Sequence, residues 1–134
     1  MNMNYYSTYT IVKDIDLFTK ELKQYKEYLT TSLYKEGCNG KLIVDSIIIF
    51  NKFKVDENGR FTFFGKNNVE FWFNEKIKFI VRIDRETCIN YVLFFEHEDF
   101  EPEDFKPEDC SNLNVDGTDC FIMSVSCLDK KGRK

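Results

Sequence analysis

The sequence predicts a single α+β domain, in which an N-terminal helix packs on a curved antiparallel β-meander of about five to seven strands. Three observations predict this fold class. The chain has 134 residues, which is a common size for one domain with one core. Apolar residues recur at helical spacing near the N-terminus. Beyond residue 42, clusters of turn-forming residues divide the chain into short strands.

A short strand and then a helix are predicted for the first third of the chain. Residues 5–12 are rich in aromatic and β-branched side chains, which favour a strand. Apolar side chains then recur at spacings of three and four and form one stripe over about five helical turns. The members of the stripe are Ile15, Phe18, Leu22, Tyr25, Leu29 and Leu33. Asp14 or Asp16 is the expected N-cap, and Gly37 is the expected C-terminal cap.

The rest of the chain is predicted to form strands joined by tight turns. The strands lie near residues 42–55, 60–64, 69–73, 77–83 and 88–96, and a last strand covers 120–128. Residues 56–59, Asp-Glu-Asn-Gly, are typical of the turns that separate them. Because connections this short usually join antiparallel neighbours, the first five of these strands are expected to form the meander.

Several of the predicted strands are apolar on both faces. In residues 88–96, for example, Tyr91, Leu93 and Phe95 share one face while Val92 and Phe94 share the other. One helix cannot cover both faces of a sheet, so a second cover is required. We expect the sheet to curl into a half-open barrel. The alternatives are that the N-terminal strand and the acidic loop fold over the sheet, or that the chain forms a homodimer.

The connection over residues 97–119 is long and acidic, and it contains both prolines of the chain. Residues 98–102 read Glu-Asp-Phe-Glu-Pro, residues 103–107 read Glu-Asp-Phe-Lys-Pro, and residues 108–109 begin a third copy. Residues 96–109, named the acidic segment from here on, hold eight acidic residues and one basic residue. Their net charge is −7 in a chain whose total is −4. Pro102 and Pro107 predict a stiff, polyproline-like strip rather than a helix.

The acidic segment is the predicted partner-binding surface. In one interpretation Phe100 and Phe105 pin the segment onto an exposed face of the sheet, and its carboxylates serve solubility. In the other, the carboxylates meet lysine and arginine side chains of a partner, and one or both rings enter a pocket. The predicted partner-binding residues are Asp99, Phe100, Glu101, Glu103, Asp104, Phe105, Glu108 and Asp109.

No catalytic residue, cofactor site or metal site is predicted. One histidine and five cysteines without a Cys-x-x-Cys pair are typical of reduced thiols, so a Cys–His nucleophile is not favoured. A zinc site would have to be assembled from Cys88, His97, Cys110 and Cys120. Residues 112–123 begin like a calcium-binding EF-hand loop, but Met123 stands where that loop needs a glutamate. The sequence also lacks the glycine motifs that bind phosphate.

The predicted function is that of a non-enzymatic inhibitor or interaction protein. The acidic segment would engage a basic, nucleic-acid-binding surface of another protein, such as a nuclease or another nucleic-acid-handling enzyme. In general character, as a small acidic α+β protein with one concentrated negative surface, the chain resembles immunity proteins to nuclease toxins and phage anti-defence proteins. The alternative is a small-molecule-binding or hydrolytic domain with an aromatic-lined pocket on the concave side of the sheet.

Two further classes of function are not favoured. Direct nucleic-acid binding would rest on Lys41, Lys52, Lys54, Arg60 and Phe61–Phe64. These residues suit solvated positions beside a buried strand equally well, and the basic tail over residues 130–134 is expected to be a frayed terminus. No apolar run reaches the roughly 18 to 20 residues that a membrane helix needs, and no secretory signal is visible. A cytoplasmic protein is therefore expected.

Overall fold

The protein is described by a computed structural model that covers residues 8–34, 42–66, 69–73, 75–112 and 118–126. The strands are β1 (Thr8–Val12), β2 (Tyr28–Tyr34), β3 (Leu42–Val55), β4 (Phe61–Gly65), β5 (Glu70–Phe73), β6 (Ile77–Asp84), β7 (Cys88–Phe95) and β8 (Cys120–Ser126). The helices are α1 (Ile15–Leu22) and α2 (Asp109–Asn112), and a 3₁₀ turn covers Pro102–Asp104. None of the helices in these ranges is long and apolar enough to cross a membrane.

The described strands form one antiparallel sheet in the order β1-β6-β7-β8-β2-β3-β4-β5. β2 joins a group of four strands on one side to a group of three on the other. Over the described ranges the sheet is open, because β1 and β5 each pair with one neighbour. The predicted class, a helix with antiparallel strands, is confirmed. The strand number is eight rather than five to seven.

The predicted five-stranded meander is wrong at one connection. β3, β4 and β5 are consecutive neighbours and β6 pairs with β7, but β5 and β6 lie in different groups of the sheet. Phe73 ends β5 and Ile77 begins β6, and both side chains are buried in the same core cluster. The chain therefore crosses between two facing layers at this point instead of turning back beside itself.

The predicted five-turn helix is also wrong, because α1 ends at Leu22 and Tyr28–Tyr34 forms β2. Leu29 and Leu33 are four residues apart, a spacing that puts two side chains on one face of a helix and equally on one face of a strand. Residues 28–34 read Tyr-Leu-Thr-Thr-Ser-Leu-Tyr, and these aromatic and β-branched side chains favour the strand. The expected cap, Gly37, lies outside the described residues.

The start of α1 is as predicted. Asp14 is the N-cap, and its Oδ1 accepts hydrogen bonds from the backbone N–H groups of Asp16 at 3.0 Å and Leu17 at 3.4 Å. Phe18 and Leu22 are buried against the sheet. Because α1 has only about two turns, it covers a small part of one face and leaves the other face to a different element.

The main core lies between the two groups of strands and consists largely of aromatic rings. The ring of Phe63 on β4 lies 5.7 Å from Phe50 on β3 and 5.7 Å from Phe121 on β8, measured between centroids. Phe73 on β5 lies 5.2 Å from Phe95 on β7. In a flat sheet β5 and β7 would be separated by five strand spacings, or about 24 Å. The sheet therefore bends until its two groups face each other.

A second apolar cluster lies on the opposite face of β6, β7 and β8. The strands contribute Phe79, Val81, Ile83, Val92, Phe94, Cys120 and Ile122 to it. Phe105 and Cys110, from the long connection after β7, are buried in the same cluster. The strands are apolar on both faces because one face meets the main core and the other is covered by this connection.

Phe63→Ala should lower the free energy of unfolding by about 3–5 kcal/mol, because it removes a fully buried ring from the junction between the two groups of strands. The control is Leu17→Ala. Leu17 is 57% exposed on α1, so its truncation should change stability by less than about 1 kcal/mol. Urea denaturation followed by circular dichroism measures both values. Equal effects of the two substitutions would contradict this description of the core.

Candidate functional site

The acidic segment is folded into helical turns, so the predicted polyproline-like strip is wrong. Pro102 opens the 3₁₀ turn, and Pro107 stands just before α2. The fixed φ of proline suits the first position of a helical turn, where its missing N–H is not needed. The polar residues that follow each proline then close the turn through hydrogen bonds.

The first turn is closed by Asp104, the aspartate of the second copy of the repeat. The Glu101 N–H donates to Asp104 Oδ2 at 2.9 Å, and the Asp104 N–H donates to the Glu101 carbonyl at 2.9 Å. The Phe105 N–H then donates to the Pro102 carbonyl at 3.2 Å. The carboxylate of Asp104 is thus a structural part of the turn as well as a surface charge.

The second turn makes the same set of bonds through Asp109, the aspartate of the third, incomplete copy. The Lys106 N–H donates to Asp109 Oδ2 at 2.9 Å, and the Asp109 N–H donates to the Lys106 carbonyl at 2.9 Å. The Cys110 N–H donates to the Pro107 carbonyl at 3.1 Å. The repeat in the sequence is therefore a repeat in the structure, in which each Pro-Glu-Asp turn returns the following residue to the sheet.

The two phenylalanines of the acidic segment face the sheet. Phe100 is half-buried and stacks on Phe94 of β7, with 4.7 Å between ring centroids. Phe105 is 3% exposed and packs edge-on against Tyr9 of β1 at 5.1 Å and against Phe94 at 6.2 Å. Of the two interpretations of these rings, the structure therefore shows the one in which they pin the segment onto the sheet.

The sheet contacts of the segment recur at intervals of five residues. Phe100, Phe105 and Cys110 all contact the second apolar cluster, and Cys110 is 5% exposed. One turn separates each contact from the next. The acidic segment and the first residues of α2 are thus the second cover of the sheet, an alternative that the sequence left open beside curling and dimerisation.

Lys78 on β6 holds the acidic segment in place, and Arg85, just after β6, holds Cys110, the residue that follows the segment. Lys78 Nζ donates to two backbone carbonyls of the segment, at 2.7 and 3.2 Å, and pairs with Glu101 Oε2 at 3.0 Å. Arg85 donates to the Cys110 carbonyl. These contacts lie near the two ends of the segment and offset part of its negative charge.

The predicted partner-binding residues fall into three groups. The carboxylates that are exposed and make no hydrogen bond or ion pair with another described residue are Asp99, Glu103 and Glu108. The carboxylates engaged within the fold are Glu101, Asp104 and Asp109. The rings of Phe100 and Phe105 are packed on the sheet. The surface available to a partner therefore consists mainly of the exposed carboxylates.

A cluster of ionisable side chains lies where β7 ends and β8 begins. His97 Nε2 is 2.7 Å from Asp119 Oδ2 and 3.0 Å from Glu98 Oε2. The side chains of Glu98 and Asp119 are 9% and 8% exposed, whereas that of His97 is 45% exposed. Sequence reasoning missed this cluster because His97 and Asp119 are 22 residues apart. Only the pairing of β7 with β8 brings them together.

A second ionic network ties α1 to the sheet. Glu21 accepts a hydrogen bond from the Tyr91 hydroxyl at 2.8 Å and pairs with Arg82 at 2.7 Å, and Arg82 also pairs with Asp84 at 3.1 Å. Burial, together with the negative charge of Glu21, raises the pKa of Tyr91. The phenol therefore stays protonated and donates its hydrogen bond, which is a structural role rather than an acid–base one.

The concave side of the sheet is filled by rings. Phe63 and Phe121 there are at most 2% exposed. Two cavities of about 350 and 310 Å³ lie instead beside α1, and both are lined by Ile15 and Asp16. Each has a single aromatic ring in its lining, and neither includes His97. Among the described side chains, this arrangement gives no support to an aromatic-lined ligand pocket.

The cationic residues considered for nucleic-acid binding are only partly brought together. Lys52 and Lys54 are exposed on β3, and the Arg60 guanidinium lies 4.3 Å from the ring centroid of Trp72, which is 46% exposed. Of the three rings in Phe61–Phe64, those of Phe61 and Phe63 are buried and cannot stack on bases without unfolding β4. Trp72 is the exposed ring on this face that sequence reasoning did not select.

The cysteines considered for a zinc site are not gathered in one place. Cys88 pairs with Ser126 at one end of β7, whereas His97 follows its other end. Burial raises the pKa of the Cys110 thiol, which favours a packed thiol over a nucleophile. Other predicted features lie outside the described residues: Cys38, Lys41, Cys127 and the basic tail over residues 130–134.

Comparisons of the chain with protein-family models, with curated proteins and with solved structures found no match. Its function is therefore inferred from the geometry and charge of the surfaces described above.

Asp104→Ala should lower the free energy of unfolding by about 1 kcal/mol, because it leaves the Glu101 N–H without its acceptor at the start of the turn. Glu103→Ala is the matched control. It removes the same charge from the adjacent exposed position and should cost less than about 0.5 kcal/mol. Urea denaturation measures both. If the two variants were equally destabilised, the turn would not depend on the aspartate.

Proposed function

We propose that the protein is a non-enzymatic interaction protein that binds a basic surface of another protein through the acidic segment. The partner class is a nuclease or another nucleic-acid-handling enzyme in the same cytoplasm, which the protein would inhibit by occupying the surface that binds nucleic acid. The observation that carries the proposal is the exposure of Asp99, Glu103 and Glu108 on a segment whose rings are packed on the sheet.

The charge of the segment supports this function. The acidic segment carries −7 within 14 residues, while the remainder of the chain sums to +3. A basic partner surface would be attracted to this one region, which accelerates association and orients the encounter. A uniformly acidic surface would increase solubility without selecting a region of contact.

The order of the segment supports it further. The two turns are closed by hydrogen bonds, and Lys78 fixes the N-terminal part of the segment through backbone carbonyls. A partner would therefore bind carboxylates whose backbone is already held in position, so less conformational entropy is lost on binding. Because the rings are turned to the sheet, the partner contacts would be mainly ionic and strongly dependent on salt.

The alternative function, a small-molecule-binding or hydrolytic domain, has less support. It requires a hollow on the concave side of the sheet, and the rings of Phe63 and Phe121 occupy that side. In the proposed function, the curled sheet is the scaffold that carries the acidic segment.

Replacing Asp99→Asn, Glu103→Gln and Glu108→Gln together should abolish capture of the partner from the native host. With the purified partner, the association rate constant at low salt should fall by about tenfold or more, because three charges that face the partner are removed. Its dependence on salt should also become weaker. Affinity capture followed by stopped-flow or surface-plasmon measurements gives both quantities.

The matched control neutralises three exposed glutamates outside the acidic segment: Glu57, Glu70 and Glu86. Each triple variant changes the net charge by the same amount, so an effect of overall charge would appear in both. The proposal predicts that the control retains the partner at the wild-type rate. Binding that is unchanged in the segment variant at low and at moderate salt would show that the acidic segment is not the interface.

A further inference from the structure

We propose that His97, Glu98 and Asp119 form a binding site for a divalent transition-metal ion such as Mn²⁺ or Zn²⁺. His97 and Glu98 lie at the start of the acidic segment, but the site uses none of the exposed carboxylates Asp99, Glu103 and Glu108 on which the proposed partner surface rests. The three side chains each offer one donor atom, and the three donor atoms lie within 4.8 Å of one another. The donor set combines one imidazole with two carboxylates, a mixture that suits Mn²⁺ and Zn²⁺.

The backbone brings the three donors together from two strands. Phe94 near the end of β7 pairs with Cys120 at the start of β8, so the residues just beyond them lie at the same end of the sheet. The Glu98 N–H donates to the Phe95 carbonyl at 3.1 Å, which turns the chain back toward β8. The His97 ring lies nearly parallel to that of Phe95, with 6.0 Å between centroids.

The distances fit adjacent positions around one ion. Two donors at right angles, each about 2.1 Å from a metal, are about 3.0 Å apart. The Nε2 of His97 lies 3.0 Å from Glu98 Oε2 and 2.7 Å from Asp119 Oδ2. An increase of a few tenths of an ångström in the second distance would therefore let Nε2 and each carboxylate oxygen take adjacent positions around an ion, and the two carboxylate oxygens lie within 4.8 Å of each other.

Two of the three donors are oxygens of side chains that are at most 9% exposed, and both lie beside His97 Nε2. A divalent ion at this point would interact with both carboxylates and would bind the imidazole nitrogen through its lone pair.

The site is also open enough to take up an ion. The His97 side chain is 45% exposed, so an ion can reach Nε2 from solvent. Three protein donors leave coordination positions for water, as in metal sites that are not closed by protein ligands. The neighbouring exposed carboxylate, Glu96, is not among the three donors and provides a control for general attraction of cations.

Mn²⁺ is the probe that tests this site, because it prefers nitrogen and oxygen donors to the thiols of this chain. Added to ¹⁵N-labelled protein, it should first broaden the amide signals of residues 96–98 and 118–120. His97→Gln and Glu98→Gln should each weaken Mn²⁺ binding by about tenfold or more, since even the loss of an outer-shell partner has an effect of that size. Glu96→Gln should leave the affinity unchanged.

Three results would overturn the proposal. These are no broadening at millimolar Mn²⁺, broadening centred on residues 99–109, or equal affinity in the wild type and His97→Gln. Asp119→Asn is a further variant, but Asp119 is buried and this change can destabilise the fold. His97→Gln alters a half-exposed side chain and is expected to leave the fold intact. Its Mn²⁺ affinity therefore tests the site even if Asp119→Asn does not fold.

Discussion

The packing of Phe100 and Phe105 on the outer face of β6, β7 and β8 is the interaction on which the rest of the structure depends. The sheet is apolar on both faces, and α1 is too short to cover more than part of one of them. Burial of a phenylalanine side chain contributes about 1.5–3 kcal/mol. The two rings therefore stabilise the second face and also hold eight acidic residues on a short stretch of chain against their mutual repulsion.

The five-residue interval links this packing to the chemistry of the surface. Each five-residue unit, 100–104 and 105–109, contributes one phenylalanine to the sheet and one proline and one aspartate to a turn, and leaves one glutamate in solvent. The ionic cluster of His97, Glu98 and Asp119 lies where the segment leaves β7. Lys78 contacts the segment near its N-terminal end, and Arg85 contacts Cys110, just beyond its C-terminal end. The acidic surface is therefore a consequence of how the sheet is covered, and its position is set by the same contacts.

The sequence predicted most of the strands, the N-cap Asp14 and the acidic segment as the unusual feature of the chain. It did not distinguish α1 from β2 at Leu29 and Leu33, because a spacing of four satisfies both periodicities. The crossing between β5 and β6 was missed because loop length alone does not tell a hairpin from a connection between layers.

The turns that begin at Pro102 and Pro107 were missed as well. Proline favours an extended conformation in the residue before it, which led to the prediction of an extended strip, but it also favours the first position of a helical turn. The proximity of His97 to Asp119 depends on strand pairing and could not be derived from local pattern.

The central claim is that the acidic segment is held on the sheet by its phenylalanines, so that the carboxylates of Asp99, Glu103 and Glu108 face solvent. Ring-to-ring proton NOEs of Phe105, assigned with a Phe105→Leu variant, test it most directly. The centroids of Phe105 and Tyr9 lie 5.1 Å apart, so cross-peaks between these rings, and between Phe105 and Phe94, are expected. A Phe105 ring with solvent-like chemical shifts and no NOE to either ring would contradict the claim.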